Sequence, residues 1–482
     1  MARVLVVGGG IAGAAAALAL RKAGQDAVVY EAHPDSAEDV GAFLTLAGNG
    51  LRALAEIDAS DAVTSLGFPL TSMRVVDATG AETAHVPLGE ADDARLRYRC
   101  LRRGELSAAL QAEAVRRGVE IVHGARLVSV GDGPEGVTAH FADGGSATGD
   151  LLLGADGLHS TVRRATAPTA VPCHAGQRVF YGYTADAPVS DVDETACITM
   201  IRGSAVAFGH MTSPGGETSW FARVDADEPL TADEIAHAGP GHWRDLLVPL
   251  LRADRTAAAD IVASTKAPVL VTDATEIPNG TPWRSGRTLL IGDAAHAASP
   301  ATGQGASMAL EDAVILAKCL RDAPDPESAL TLYETLRRPR VEYNTTVSGN
   351  ISRGAHTPAP RPTGAPLHPV GRRPVPREGV RSRVRHRHLR HRRRGRRQAN
   401  DSDHGLTAGV ITENGTHGLR VARRVRTGIV HVNDQSVADE PQAPFGGFKS
   451  SGHGRFGGRR GIGAFSNTRW VPLATEQAHY PF

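Results

Sequence analysis

The chain has 482 residues, enough for two or three domains and a large apolar core. Its formal charge of +1 averages over unlike parts, because fifteen arginines and one glutamate fall between Arg353 and Arg397 and leave the remainder acidic. The four cysteines (Cys100, Cys173, Cys197, Cys319) stand far apart without C-x-x-C or His-rich spacing, which argues against a disulfide framework or a metal site and makes a reducing cytoplasm the expected setting.

No stretch reads as a membrane span; the apolar run Val4–Leu20 contains four glycines and is better explained as a strand, turn and helix than as a signal peptide. Arg3–Val7 is a short apolar strand, followed by Gly8-Gly9-Gly10-Ile11-Ala12-Gly13 and an Ala-rich helix to about Ala23. A second strand, Ala27–Tyr30, ends at Glu31, 18 residues past Gly13. This is a βαβ dinucleotide fingerprint. Gly8, Gly10 and Gly13 allow the turn and close approach to a pyrophosphate, the helix N-terminus offers N–H groups to it, and Glu31 suits ribose hydroxyls. Gly131-Asp132-Gly133-Pro134-Glu135-Gly136 has the same glycine spacing but opens no helix, so it is expected to be a hairpin turn.

Farther on, Asn49–Ile57 reads as a short helix, and Ser72–Val76 with Thr83–Val86 as a hairpin. Arg103 opens a helix that leads to a strand at Val119–Val122. Asp150–Leu153 is a buried strand, followed by Gly154-Ala155-Asp156-Gly157 and a segment ending at Ser160-Thr161-Val162-Arg163; the lesser alternative here is a helix N-cap at Asp156 with Arg163 as a surface charge. Gln177–Thr184, Ala196–Ile201, Ala205–Gly209 and Thr218–Val224 read as strands of one sheet; His210, Trp220 and Phe221 could line a pocket there, but core packing or a solvent-facing sheet surface is the stronger expectation for each, and none is nominated as catalytic. Thr288–Ile291 is a buried strand leading to Gly292-Asp293, Pro300, the corner Gly303-Gln304-Gly305 and a helix beginning near Ala306. That helix start would offer an anion or electron-rich ring its free N–H groups, and Asp293 could accept hydrogen bonds from a polyol.

The segment GDAAH with Pro300, Gly303-Gln304-Gly305 and Glu311-Asp312-Ala313 resembles the flavin-side signature of the FAD-dependent aromatic-ring hydroxylases, the single-component flavoprotein monooxygenases. The fingerprint at Gly8–Gly13 and the Asp156-Gly157 segment fall in the order of that family's other markers, and the likeness runs from residue 2 to about 350. The resemblance implies that Asp293 meets the ribityl chain, Pro300 lies beside the flavin ring, and Gly303, Gly305 and Ala306 face its pyrimidine edge. It also implies that Arg103 reaches the pyrophosphate and that Asp156 contributes to FAD binding. NAD(P)H would reduce FAD, and O₂ would supply one oxygen atom to a small aromatic or polyketide-like substrate. No side chain is implied as nucleophile.

Arg353–Arg397 uses ten residue types, carries seven prolines and has no Phe, Trp, Tyr or Lys, so it is expected to be disordered. Nucleic acid is not the expected partner, since no aromatic residues are interleaved for base stacking; a frame-shifted stretch of a GC-rich gene fits the restricted alphabet. Beyond it, Gly428–Asn433 and Pro444-Phe445-Gly446-Gly447-Phe448-Lys449 resemble the C-terminal end of an aldehyde dehydrogenase, a piece of residues 399–482 that contains no cysteine for that family's nucleophile.

The expected architecture is α/β: a Rossmann-like FAD domain (about 1–70, 100–170 and 280–350), an inserted β-rich substrate sheet (about 71–99 and 171–279), a linker (351–398) and a foreign C-terminal fragment. The expected activity is an FAD-dependent monooxygenase. An oxidase or reductase of the same fold, or an inactive fusion product, remain the alternatives.

Overall fold

The computed structural model describes residues 3–38, 41–88, 93–134, 136–187, 196–354, 400, 404–405, 407–410, 420–432 and 448–449. The chain divides into two units, Met1–Ala365 and Pro366–Phe482. Apart from residues 351–354, which end a helix and form the turn after it, the expected disordered linker lies outside the described residues, as does most of the segment after it.

The first unit begins with β1 (Arg3–Val7), α1 (Ile11–Lys22), β2 (Asp26–Tyr30), β3 (Phe43–Leu46), α2 (Gly48–Glu56) and α3 (Ser60–Thr64). There follow β4 (Phe68–Pro69), β5 (Ser72–Asp77), β6 (Glu82–Pro87), β7 (Arg99–Arg102), α4 (Arg103–Arg116), β8 (Glu120–Val122), β9 (Leu127–Gly133) and β10 (Gly136–Phe141). Next come β11 (Ser146–Gly149), β12 (Leu151–Gly154), α5 (Thr161–Thr166), β13 (Cys173–Thr184), β14 (Cys197–Arg202), β15 (Val206–Thr212) and β16 (Thr218–Asp225). The unit closes with α6 (Ala232–His237), α7 (His242–Leu251), α8 (Ala258–Ala263), β17 (Leu270–Glu276), β18 (Arg284–Ser285), β19 (Thr288–Leu290), α9 (Asp293–His296), α10 (Gly305–Asp322) and α11 (Pro326–Ser352).

The main sheet has the order β18-β19-β12-β1-β2-β8, and all its pairings except β18–β19 are parallel. Its inner strands are unbroken apolar runs (Val4–Val7, Leu151–Leu153), as a parallel strand covered on both faces requires. The alanines of α1 are buried from Ala14 to Ala19, which lets that helix lie close to its neighbours. The glycine-rich stretch at Gly131–Gly136 is the expected hairpin, joining β9 to β10.

A seven-stranded sheet, β17-β13-β16-β15-β14-β5-β6, forms the second layer. Side chains alternate across it. On one face Phe180, Phe208, Trp220 and Ala222 pack with Trp243 and Leu247 of α7 and Ile261 and Val262 of α8. On the other, Tyr181, Tyr183, Met200, Met211 and Phe221 meet Phe43 of β3. The pocket candidates therefore separate. Trp220 is fully buried in the helix-covered core, where its indole donates to Thr265 Oγ1 at 2.9 Å, and His210 stands opposite Trp220 on the same face. Only Phe221 lies on the face toward β3.

In the second unit, His404–Gly405 pairs antiparallel with Phe448–Lys449, and Thr407–Val410 pairs parallel with Ile429–Val432.

Truncating Trp220 to alanine should cost about 3–5 kcal/mol in urea unfolding, since it empties a closed core position and removes the bond that Thr265 accepts. A loss below about 1 kcal/mol would contradict this burial.

Candidate functional site

Three corners sit at the C-terminal ends of three adjacent parallel strands: Gly8 after β1, Ala155-Asp156 after β12 and Gly292-Asp293 after β19. Open α/β sheets bind ligands at such carboxyl ends. The corners touch. A Cβ on Gly8, whose φ is +101°, would fall 2.5 Å from the Ala155 carbonyl oxygen, and one on Gly292 (φ +57°) would fall 2.8 Å from the Cβ of Ala12. Gly13 serves another purpose: its Cβ would lie 1.8 Å from the Gly8 carbonyl oxygen, so it permits α1 to pack on its own turn. Gly10 faces open space, with no heavy atom within 4 Å of an added Cβ.

Two helices point bare N-termini into this region. Gly10 precedes the 12-residue α1 and Gln304 the 18-residue α10; neither start has a side-chain cap or an acidic residue in its first turn. Their free N–H groups and dipoles suit a pyrophosphate or an electron-rich ring edge. Gly305 lies beside Asp293 Oδ1, and Gly303 takes the left-handed conformation (φ +63°) next to Thr45 of β3. Pro300 opens a short 3₁₀ turn and is exposed, and Ala306 is half-buried in the first turn of α10.

The charged candidates are held by the backbone. Glu31 accepts from Gly9 N–H at 2.5 Å and His33 N–H at 2.7 Å, which holds it beside the first turn. Arg103 Nη2 stands 3.9 Å from Asp293 Oδ2, so the start of α4 meets the third corner. Asp156 accepts from Ser160 Oγ at 2.5 Å and from the N–H groups of Thr161 and Val162 at 2.7 and 3.1 Å. It thus caps α5 jointly with Ser160, the helix-cap alternative, while Gly157 (φ +75°) faces open space. Arg163 is buried, donating to the carbonyls of Leu158 and Ala294, and so ties the second corner to the third.

Asp312 of α10 is fully buried, and its role was not apparent from the sequence. It accepts from Gly292 N–H at 3.0 Å, His296 Nε2 at 2.5 Å and Arg337 Nε at 2.8 Å, clasping Asp293 from both sides along the chain. Burial alone would raise its pKa, yet His296 and Arg337 hold the carboxyl well below the usual carboxylate range. Glu311 beside it receives Arg337, Arg340 and Asn49. Among the described residues there is no group of three or more His, Cys, Asp or Glu side chains that could hold a metal ion, and no helix long and apolar enough to cross a membrane.

Comparison with known proteins agrees with this geometry. Residues 1–348 match the FAD binding domain family, and residues 393–471 match the aldehyde dehydrogenase family. A 3-amino-4-hydroxybenzoate 2-monooxygenase of Streptomyces cremeus is 32% identical over 346 residues, 70% of this chain and 84% of that protein. An aurachin C monooxygenase/isomerase of Stigmatella aurantiaca is 30% identical, covering 73% and 88%. The crystal structure of Klebsiella pneumoniae HpxO complexed with FAD and uric acid superposes with a TM-score of 0.64 at 27% identity, over 74% of this chain and 89% of that one. The chain belongs to the FAD-binding family of flavoprotein hydroxylases. It is an FAD-dependent monooxygenase with NAD(P)H as co-substrate, carrying an aldehyde dehydrogenase-like segment near its C-terminus.

Asp312→Asn should destabilise the first unit by about 3–5 kcal/mol at neutral pH, because it leaves Arg337 buried without its full counter-charge. A carboxyl whose folded pKa is depressed contributes stability above its unfolded value and loses it as pH falls toward the folded one. The gap between wild type and variant, read from urea midpoints, should therefore narrow below about pH 4. A gap that widens on acidification would overturn the assignment.

Proposed function

We propose that the three corners hold one FAD, and that the protein inserts one oxygen atom from O₂ into a small aromatic substrate placed between the flavin ring and the Phe43–Phe221 face of the second sheet. The observation that carries this reading is the meeting of the corners at adjacent strand ends beneath two uncapped helix starts.

The residues divide the cofactor among them. Gly8, Gly10 and Gly13 with the N–H groups of α1 would receive the pyrophosphate, and Arg103 would add a guanidinium suited to that diester. Glu31 retains lone pairs for the ribose hydroxyls. Asp293 would accept from the ribityl chain, supported by Asp156 and Gly157 at the neighbouring corner. Pro300, Gly303, Gly305 and Ala306 would line the ring, where the positive end of α10 favours the electron-rich reduced form. Bound FAD supplies the redox chemistry, accepting hydride from NAD(P)H and activating O₂. The protein orients the substrate and excludes water.

Support for an aromatic substrate comes from the wall itself. Phe43 packs edge-on against Tyr181 and Tyr183, with ring centroids 5.7 and 5.9 Å apart, and lies 6.5 Å from Phe221. Burial pushes the Tyr181 phenol up to about 12 against the pull of Arg223 and Arg103, so it stays a neutral hydroxyl. The aromatic acids, quinolones and urate named for its relatives fit such a wall. The unpaired cysteines support a reducing cytoplasm as the setting. Residues 393–471 hold no cysteine, so this stretch supplies no aldehyde-oxidising nucleophile of its own.

The purified protein should take up FAD, and Asp293→Ala should weaken that binding about tenfold or more, as expected for loss of a charge-assisted hydrogen bond. Fluorescence titration of the apoprotein measures this, and unchanged affinity would count against Asp293. With a panel of aromatic compounds, substrate-stimulated NAD(P)H oxidation under ¹⁸O₂ should place one labelled atom in the product. Unlabelled product would mark an oxidase instead.

A further inference from the structure

The Phe221 face of the second sheet carries one buried charge that the cofactor reading leaves unused. Arg223, two residues after Phe221 on β16, is only 8% exposed, yet its Nε and Nη1 have no hydrogen-bond partner. Its guanidinium carbon lies 5.9 Å from the Phe221 ring centroid, and its charge reaches Tyr181 on the neighbouring strand. Side-chain alternation puts it on the same face as Phe221 and opposite Val179. Val224, the residue between it and Asp225, packs instead with the helix-covered core.

Asp225 on the same strand attracts it through space but leaves its Nε and Nη1 without a hydrogen bond. Asp225, the next residue on this face, is exposed and accepts from Gln177 Nε2 at 3.0 Å. Gln177, paired with Asp225 across the strands, is itself 7% exposed, and its Oε1 also lacks a partner. A buried guanidinium with two unmade donors is costly to keep in a fold. It is retained at a profit only where a counter-ion arrives, and the accessible source is the occupant of the aromatic wall.

We propose that Arg223 anchors an anionic group of the substrate, a carboxylate or the ionised oxygen of an acidic ring, at one end of the aromatic wall formed by Phe43, Tyr181 and Phe221. The assignment rests on the reading of this face as the substrate wall. It makes Arg223 the residue that selects acidic aromatic compounds over neutral ones of equal shape. The guanidinium forms charge-assisted hydrogen bonds with the incoming anion, while the neighbouring rings receive its planar body.

The test uses the FAD-loaded full-length protein and matched probes: one- and two-ring aromatic carboxylates against their primary amides, and 4-nitrophenolate against 4-nitroanisole, with affinities from calorimetry. Wild type should prefer the anionic member of at least one series by about tenfold or more. The series that shows the preference separates a carboxylate from a ring oxygen. Arg223→Gln should abolish the preference with FAD content unchanged, and Arg223→Lys should restore part of it, which a purely structural role would not do. Equal or weaker affinity for the anions in wild type, or an undiminished preference in Arg223→Gln, overturns the proposal even if the second variant fails to fold. Wild type that takes up no FAD would instead remove the flavoenzyme reading beneath it, a separate outcome.

Discussion

The parallel register of β1, β12 and β19 is the constraint on which the rest of the site depends. Val7 pairs with Gly154 and Gly154 with Leu290, so three chain reversals far apart in sequence occur at one level of the sheet. Only residues with little or no side chain fit there: Gly8 against Ala155, Ala12 against Gly292 and Gly13 against Gly8. Gly292 packs between Ala12 of α1 and Ala309 of α10, and both of those helices start without a capping side chain. The anion-binding field follows from strand pairing before any charged side chain is added.

Charged side chains then fix what the backbone leaves loose. Asp312 binds the N–H of Gly292 and the ring of His296, and Arg337 links it to α11. A carboxylate taken fully out of water is expensive, and replacement of a satisfied buried pair by apolar residues is often neutral for stability. The return is better sought in position. A loop that carries Asp293 beside Gly305 gains from directional bonds that an apolar contact does not supply.

Much of this was legible from local pattern. The strand Arg3–Val7 has the bounds its apolar run gives, Arg103 opens its helix, and the Gly131–Gly136 repeat is a hairpin, since a fingerprint without a following helix cannot present a helix terminus. The acids were harder. Asp156 has the fingerprint's company, yet its carboxylate is engaged by the N–H groups of α5, a geometry that no spacing rule separates from cofactor contact. Asp312 and Arg337 lie 25 residues apart on different helices, and their pairing exists only once α10 and α11 pack together. Arg223 left no signal of its own; alternation in Thr218–Val224 gives two faces without saying which one a helix will cover.

That last ambiguity decides the chemistry of the second sheet. Trp220 and Phe221 are adjacent, both aromatic and both on a central strand, yet one closes a core against α7 and α8 while the other faces β3. The choice follows from what each face is offered. Trp243, Leu247, Ile261 and Val262 provide enough apolar surface to bury the largest side chain, with Thr265 placed to accept its N–H. The opposite face meets the small β3-β7-β4 sheet, from which Phe43 reaches three rings and Phe68 and Cys100 complete the cluster. A one-residue slip in β16 would send Trp220 to the face toward β3 and carry Phe221 and Arg223 into the helix-covered core together. The cost of burying a guanidinium between α7 and α8 opposes such a slip.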